Sequence, residues 1–134
     1  MKAVFDTNVL IAAFVTEGIC SKLIARARTG QFELITCPFI LKEFERTLRK
    51  KFSSTEEEVR DALMLISEAV EDVVRPTQKV TGVCRDATDD NILACILEAQ
   101  ADYLVTGDSD LLELTTFHGI PIITPREFEL LFGD

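Results

Sequence analysis

The chain has 134 residues, the length of one ordinary domain, and is 47% hydrophobic and 28% charged. That composition belongs to a packed globular protein and excludes a disordered segment, which would be poor in apolar residues. No apolar run approaches the roughly 18–20 residues needed to cross a bilayer. The N-terminus lacks the basic, apolar and small-residue order of a secretory signal, so a cytoplasmic protein with no membrane contact is expected. The formal charge of −9 speaks against a uniformly nucleic-acid-binding surface. A carboxylate cluster that holds divalent cations would account for part of it.

In chain order, Lys2 to Phe5 reads as a short apolar strand ending on Asp6. The pattern Val9, Leu10, Ile11, Phe14, Val15 predicts a helix opening just after Asp6-Thr7-Asn8. A second helix is expected from Ser21, which can cap it, to Gly30, a good C-terminal stop. Phe32 to Cys37 reads as a strand, and Pro38 suits the first turn of a helix running to about Phe52. Thr55 with Glu58 is a capping-box pair, predicting a helix over 56–72, and Val73 to Pro76 is the candidate third strand.

Thr77 to Ala87 is the expected long loop. Helix returns from Asp89 to Gln100, followed by a buried strand, Tyr103 to Thr106, and a short helix, Leu111 to Leu114. Ile120 to Thr124 is the last strand, and Pro125 leads into a closing helix, Arg126 to Phe132. No repeat or linker divides the chain, so one domain, 1–134, is expected. Short apolar strands alternating with helices imply a parallel sheet covered on both faces. Ligand sites in such sheets lie beyond the carboxyl ends of the strands, near a switch in strand order. That rule directs attention to Asp6 and to Thr106-Gly107-Asp108.

Asp6 ends the first strand at the head of a helix, where a capping role and a site role are both open. Asp108 and Asp110 follow the strand Tyr103 to Val105, two residues apart, where both can face a cation; Asp110 also suits capping of the next helix. Asp86, Asp89 and Asp90 gather around one helix start, more acids than the helix dipole needs, so at least one is a candidate site residue. Glu43 falls at the border of the apolar stripe Ile40, Leu41, Phe44, Leu48, Phe52, where it either forms a site lip or pairs with Lys50 or Thr47.

Asp and Glu oxygens without Cys or His select hard cations, Mg²⁺ or Mn²⁺, and Mg²⁺ shared with phosphate oxygens points to phosphate chemistry. Lys42, Arg46, Arg49 and Lys50, with Lys51 beside them, could follow a nucleic-acid backbone toward such a site or simply solvate the helix. His118 stands without a second His or nearby Cys and reads as a surface residue. Cys20, Cys37, Cys84 and Cys95 form no Cys-x-x-Cys pair and read as reduced, packed side chains.

Three segments together carry a family resemblance: Asp6-Thr7-Asn8 after the first strand, Asp89-Asp90-Asn91-Ile92-Leu93-Ala94, and Ala101-Asp102-Tyr103-Leu104-Val105-Thr106-Gly107-Asp108-Ser109-Asp110-Leu111-Leu112. In this order and spacing the chain resembles the PIN-domain family over nearly its whole length, in particular the small single-domain toxins of toxin–antitoxin pairs.

The resemblance implies a three-layer α/β/α sandwich with a central parallel sheet of about five strands. It also implies a homodimer, Mg²⁺ or Mn²⁺ dependence, endonucleolytic cleavage of RNA and a cognate antitoxin. By likeness, Asp6, Glu43, Asp90 and Asp108 would be the metal-binding acids, Asp110 an auxiliary fifth, and Asn8 and Thr106 polar supports. Asp90 is preferred to Asp89 because its spacing to Leu93-Ala94 matches the family pattern.

Two other readings compete. A phosphatase of the haloacid dehalogenase type needs an acid two residues after the first Asp, where this chain has Asn8. A non-catalytic protein- or RNA-binding module would keep the fold without turnover, since fold alone does not establish activity.

Overall fold

The computed structural model describes residues 1–133. β1 (Lys2–Phe5) runs directly into Asp6, which caps α1 (Thr7–Val15). α2 (Ile19–Arg28) starts two residues earlier than expected, because the Ser21 hydroxyl folds back on both the N–H and the carbonyl of Gly18 from inside the first turn. Gly30 follows with φ +77°, the left-handed conformation that favours glycine after a helix.

β2 (Glu33–Thr36) leads to α3 (Pro38–Lys51), with Pro38 in its first turn. α4 (Glu56–Ala69) opens on the expected capping box, in which Thr55 N–H donates to Glu58 (2.8 Å) and Glu58 N–H donates to Thr55 (3.1 Å). α4 stops at Ala69, and the third strand, β3, is Val70–Val73 rather than 73–76. Val70 turns extended (ψ 127°) directly after the helix, and β-branched Val70 and Val73 pair with Leu34 and Thr36 of β2 across a register irregularity.

After a long irregular segment, a 3₁₀ turn (Ala87–Asp89) enters α5 (Asp90–Ala99), then β4 (Tyr103–Val105) and α6 (Ser109–Glu113). β5 (Thr116–Phe117) and β6 (Ile120–Ile123) form a hairpin, and α7 (Pro125–Glu129) with a 3₁₀ turn (Leu130–Phe132) closes the described chain. His118 (φ +50°) and Gly119 (φ +80°) make the hairpin turn, and the histidine is exposed, as expected.

The sheet order is β3-β2-β1-β4-β6-β5, with five parallel strands and the two-residue β5 added antiparallel to β6. Successive residues of β1, β2 and β4 are buried, so both faces of the sheet are covered. α5 lies against β1 and β2. Phe128 of α7 packs edge-on against Phe5 (5.8 Å between centroids) and Phe32 (5.0 Å). Burial of each such ring contributes on the order of 1.5–3 kcal/mol.

Arg26 is buried beneath this layer. Its guanidinium makes paired contacts of 2.6 and 2.8 Å with Glu129, bonds Gln31 at 2.7 Å, and lies 4.7 Å from the Phe132 ring centre. A buried cation is tolerated when its donors are satisfied in this way. Among the described residues, no single helix is long and apolar enough to cross a membrane.

β1 lies between β2 and β4, so the crossover direction reverses between β1 and β4. The carboxyl ends of those two strands carry Asp6 and Thr106. The ladders continue one residue beyond them, with Asp6 N–H donating to Val105 (3.1 Å) and Thr106 N–H to Ile123 (2.9 Å). Both residues are therefore fixed by the sheet rather than by a loop.

Candidate active site

Asp6 is almost fully buried and uses both carboxylate oxygens. Oδ1 accepts from Val9 N–H at 3.0 Å, the capping bond, and Oδ2 accepts from the Thr106 hydroxyl. Thr106 is wholly buried, and its oxygen in turn accepts the Asp108 N–H at 3.0 Å. A chain of hydrogen bonds thus locks the end of β1 to the end of β4. Asp108 caps α6 through Leu111 N–H (3.2 Å). Capping and site placement therefore coexist at both aspartates.

A cleft of about 310 Å³ opens at this edge. Its walls carry five carboxylates: Asp6 from β1, Glu43 from α3, Asp86 and Asp89 from the approach to α5, and Asp108 after β4. Asn8 and Thr47 add neutral polar groups, and Lys51 is the cation in the wall. Glu43 also bonds Arg46 at 2.8 Å, so its edge position is occupied by an ion pair as well as facing the cleft. Asp86 accepts from both the amide (3.0 Å) and the hydroxyl (2.7 Å) of Thr88, which holds its carboxyl below the ordinary value.

The two adjacent acids at the head of α5 go different ways. Asp89 lines the cleft together with Ile92, three residues on and so on the same helix face. Asp90 is buried and turns away, accepting the Cys84 N–H at 2.8 Å. Burial acts to raise the Asp90 carboxyl, but bonds from the Cys84 amide and thiol and from the Val83 and Gly82 amides outweigh it and hold the group low. The sequence preference for Asp90 over Asp89 in the cleft is thus not what the fold presents. The 82–84 segment, distant from any strand, supplies the donors that draw Asp90 aside. Asp110 is absent from the cleft wall, although its charge acts on Asp89.

The electrostatics report unbalanced negative charge. Burial, and then the neighbouring Asp86, Asp108, Asp6 and Asp110, push the Asp89 carboxyl up to about 6. Asp6 is likewise raised, by burial first and with the Asp108 charge adding to it, against the bonds from Thr106 and Val9. Among the described residues, no three acids, histidines or cysteines stand together in a closed metal-binding group. The donor set is nonetheless all oxygen and carries charge that a hard cation would relieve, which fits Mg²⁺ or Mn²⁺ retaining several waters.

The basic residues divide as well. Lys42, Arg46, Arg49 and Lys50 line a separate groove on α3, where Arg49 is held by Glu56 (2.8 Å) and Glu45 (3.2 Å). Of the α3 cations, Lys51, one position beyond that set, is the one that reaches the acidic cleft.

A parallel α/β sheet with an acidic cleft at its strand-order switch defines a class of small α/β domain with its candidate site at the carboxyl edge of the strands. Within that class, the family model for the PIN domain matches residues 2–110, and the chain belongs to the PIN-domain family. No curated protein matches it. Among solved structures it is similar to one chain of VapBC2 from Rickettsia felis, solved bound to a DNA fragment from their promoter. That likeness has a TM-score of 0.66 and 13% identity, over 92% of this chain and 98% of the other. At that identity the likeness concerns the fold.

Proposed function

We propose that this chain is a metal-dependent endoribonuclease, the toxin of a toxin–antitoxin pair, acting in the cytoplasm as a homodimer. The observation that carries the catalytic reading is the meeting of five carboxylates from four separate elements in one cleft at the carboxyl edge of β1 and β4. Fold stability has no use for that concentration of charge, and it costs free energy when nothing balances it.

Asp6, Asp89 and Asp108 would hold the cation, with Glu43 and Asp86 at the rim. The ion would supply positive charge to the phosphate and acidity to an attacking water. The Thr106 hydroxyl orients the Asp6 carboxylate and opposes the upward effect of burial on it, and Asp108 is tied through its own N–H to the same hydroxyl. Lys51 places a fixed positive charge beside the cleft, suited to a phosphate entering an otherwise acidic wall. The likeness to one chain of a VapBC complex supports the antitoxin partner.

The test is incubation of the purified chain with mixed RNA in Mn²⁺ or Mg²⁺, in EDTA, and beside Asp6→Asn. Cleavage abolished by both EDTA and the substitution is the expected result. A folded preparation that cuts nothing favours the second reading, a non-catalytic PIN-like module.

A further inference from the structure

Cys37 and Cys95 stand apart from the other two thiols, and the chemistry proposed for the acidic cleft uses neither. Both are buried, at 1% and 0% exposure. Cys37 lies between β2 and α3, at the head of α3, and Cys95 lies within α5. α5 packs against both α3 and β2. There the two thiols meet in a hydrogen bond in which Cys95 donates to Cys37. That contact, with the Ile40 and Phe39 amides of α3 bonding the same sulfur, lowers the Cys37 thiol against the effect of burial. Cys95 is raised, first by the same contact and then by burial. A sulfur disposed to ionise thus touches one that keeps its proton.

Cys20 and Cys84 are placed differently. Each is only half-buried, yet each is held up, first by burial and then by a nearby acid. Asp6 acts on Cys20, while Cys84 rises to about 12 and donates to Asp90.

A cavity of about 590 Å³ lies between the first turns of α3 and α5 and the segment 75–82. Cys37 forms part of its wall, so a molecule little larger than water can approach a residue that the outer surface hides. Phe39, two residues after Cys37, lines both this cavity and the acidic cleft beside it. Ile92, three residues before Cys95, lines the cleft from α5. The thiol pair therefore stands directly behind the cleft wall.

We infer that Cys37 and Cys95 form an oxidation site for a small hydroperoxide, which converts the pair to a disulfide tying the head of α3 to α5. Disulfide formation needs side chains directed at one another, and the thiol–thiol hydrogen bond shows that these are. The Cys37 thiolate attacks one oxygen of hydrogen peroxide; the O–O bond breaks, Cys37 becomes a sulfenic acid, and the released hydroxide takes a proton to leave as water. The Cys95 sulfur then attacks the Cys37 sulfur. The S–O bond breaks, the S–S bond forms, and hydroxide leaves as water with the Cys95 proton. Two thiols and one peroxide give one disulfide and two waters, the two electrons passing from sulfur to the peroxide oxygens. In a reducing cytoplasm the bond would be transient, as redox-sensing disulfides there are. The inference does not depend on the nuclease reading.

The experiment treats a Cys20→Ser/Cys84→Ser chain, checked for unchanged melting, with hydrogen peroxide, folded and in urea, followed by alkylation and peptide mapping by mass spectrometry. The folded chain is expected to lose two hydrogens and to yield a peptide linking positions 37 and 95, reversed by dithiothreitol. With Cys95→Ser added, oxidation should halt at a sulfenic acid on Cys37 that dimedone traps. In the wild-type chain, mapped in the same way, Cys37 should react on the order of ten-fold faster than Cys20 or Cys84, because the thiolate is the nucleophile. Free thiols at both Cys37 and Cys95 after peroxide treatment of the folded chain overturn the site. So does a link that forms only in urea, or a wild-type chain in which Cys20 or Cys84 reacts first.

Discussion

Replacing Asp89 with Asn removes one negative charge from the cleft and keeps the shape of the side chain. In the folded chain this carboxyl holds its proton to about pH 6, against an ordinary value of 3.8, first because it is partly buried and then because four other aspartates face it. A difference of about two pH units corresponds to ~3 kcal/mol if fully expressed. The cleft is open to water, and screening reduces the recoverable part to roughly 1 kcal/mol. Asp89→Asn is therefore expected to make the metal-free chain more stable at pH 7, raising Tm by about 3–5 °C for a chain of this size.

The pH dependence carries the same sign. The wild-type fold binds the extra proton that the unfolded chain has released, so its stability falls as pH rises from about 4 to about 6. The gain from the variant should vanish below about pH 4, where both states of the wild type are protonated. Saturating Mn²⁺ should stabilise the wild type by about 2.7 kcal/mol at a hundred times its Kd, and much less in the variant. Thermal melts across pH with and without Mn²⁺ measure all of this. A variant that is less stable than wild type at pH 7, or that keeps the full Mn²⁺ response, refutes the placement of Asp89 in the cleft.

Asp90→Asn should act in the opposite way, costing about 1–3 kcal/mol in a urea melt and speeding hydrogen exchange at Cys84, because a buried acceptor of several N–H groups is weakened. Thr106→Val removes the hydroxyl that Asp6 and the Asp108 amide share; a loss of about 1–3 kcal/mol is expected, with metal affinity reduced, as read by calorimetric titration. Arg26→Ala leaves Glu129 behind without its buried partner and should cost about 3–5 kcal/mol in denaturant, with no direct effect on metal binding. Lys51→Ala, at an exposed position in the cleft wall, should leave Tm unchanged and raise KM for RNA several-fold if that cation meets a phosphate.

Much of the fold is legible in the sequence because its signals are local. Unbroken apolar runs such as Ala3-Val4-Phe5 and Leu104-Val105 mark strands buried on both faces, and the helices between them imply parallel pairing. An acid directly after such a strand lies at the sheet edge whatever the rest of the chain does, so Asp6 and Asp108 stand out from the pattern of residues alone. The Thr55 and Glu58 pair and Pro38 set their helix starts for the same reason. β3 lies a few residues earlier than the sequence suggests, because nothing local separates the last turn of α4 from a short edge strand, and its pairing with β2 decides the matter.

Other features are set only by tertiary structure, since they depend on partners far away in the chain. Asp89 and Asp90 are neighbours about 100° apart on a helix, so only one can face the cleft. The choice falls to amides at 82–84 that no helix pattern reveals. The bond between Thr106 and Asp6 joins residues a hundred positions apart. The cations on α3 look alike in sequence, yet Arg46 and Arg49 are held by acids while Lys51 reaches the cleft. Arg75 and Lys79, from an irregular segment, line the cavity beside it. Residue types and spacing dictate which elements form and where carboxylates must emerge. The direction in which each charge points is decided by the packing of segments that meet only once the chain has folded.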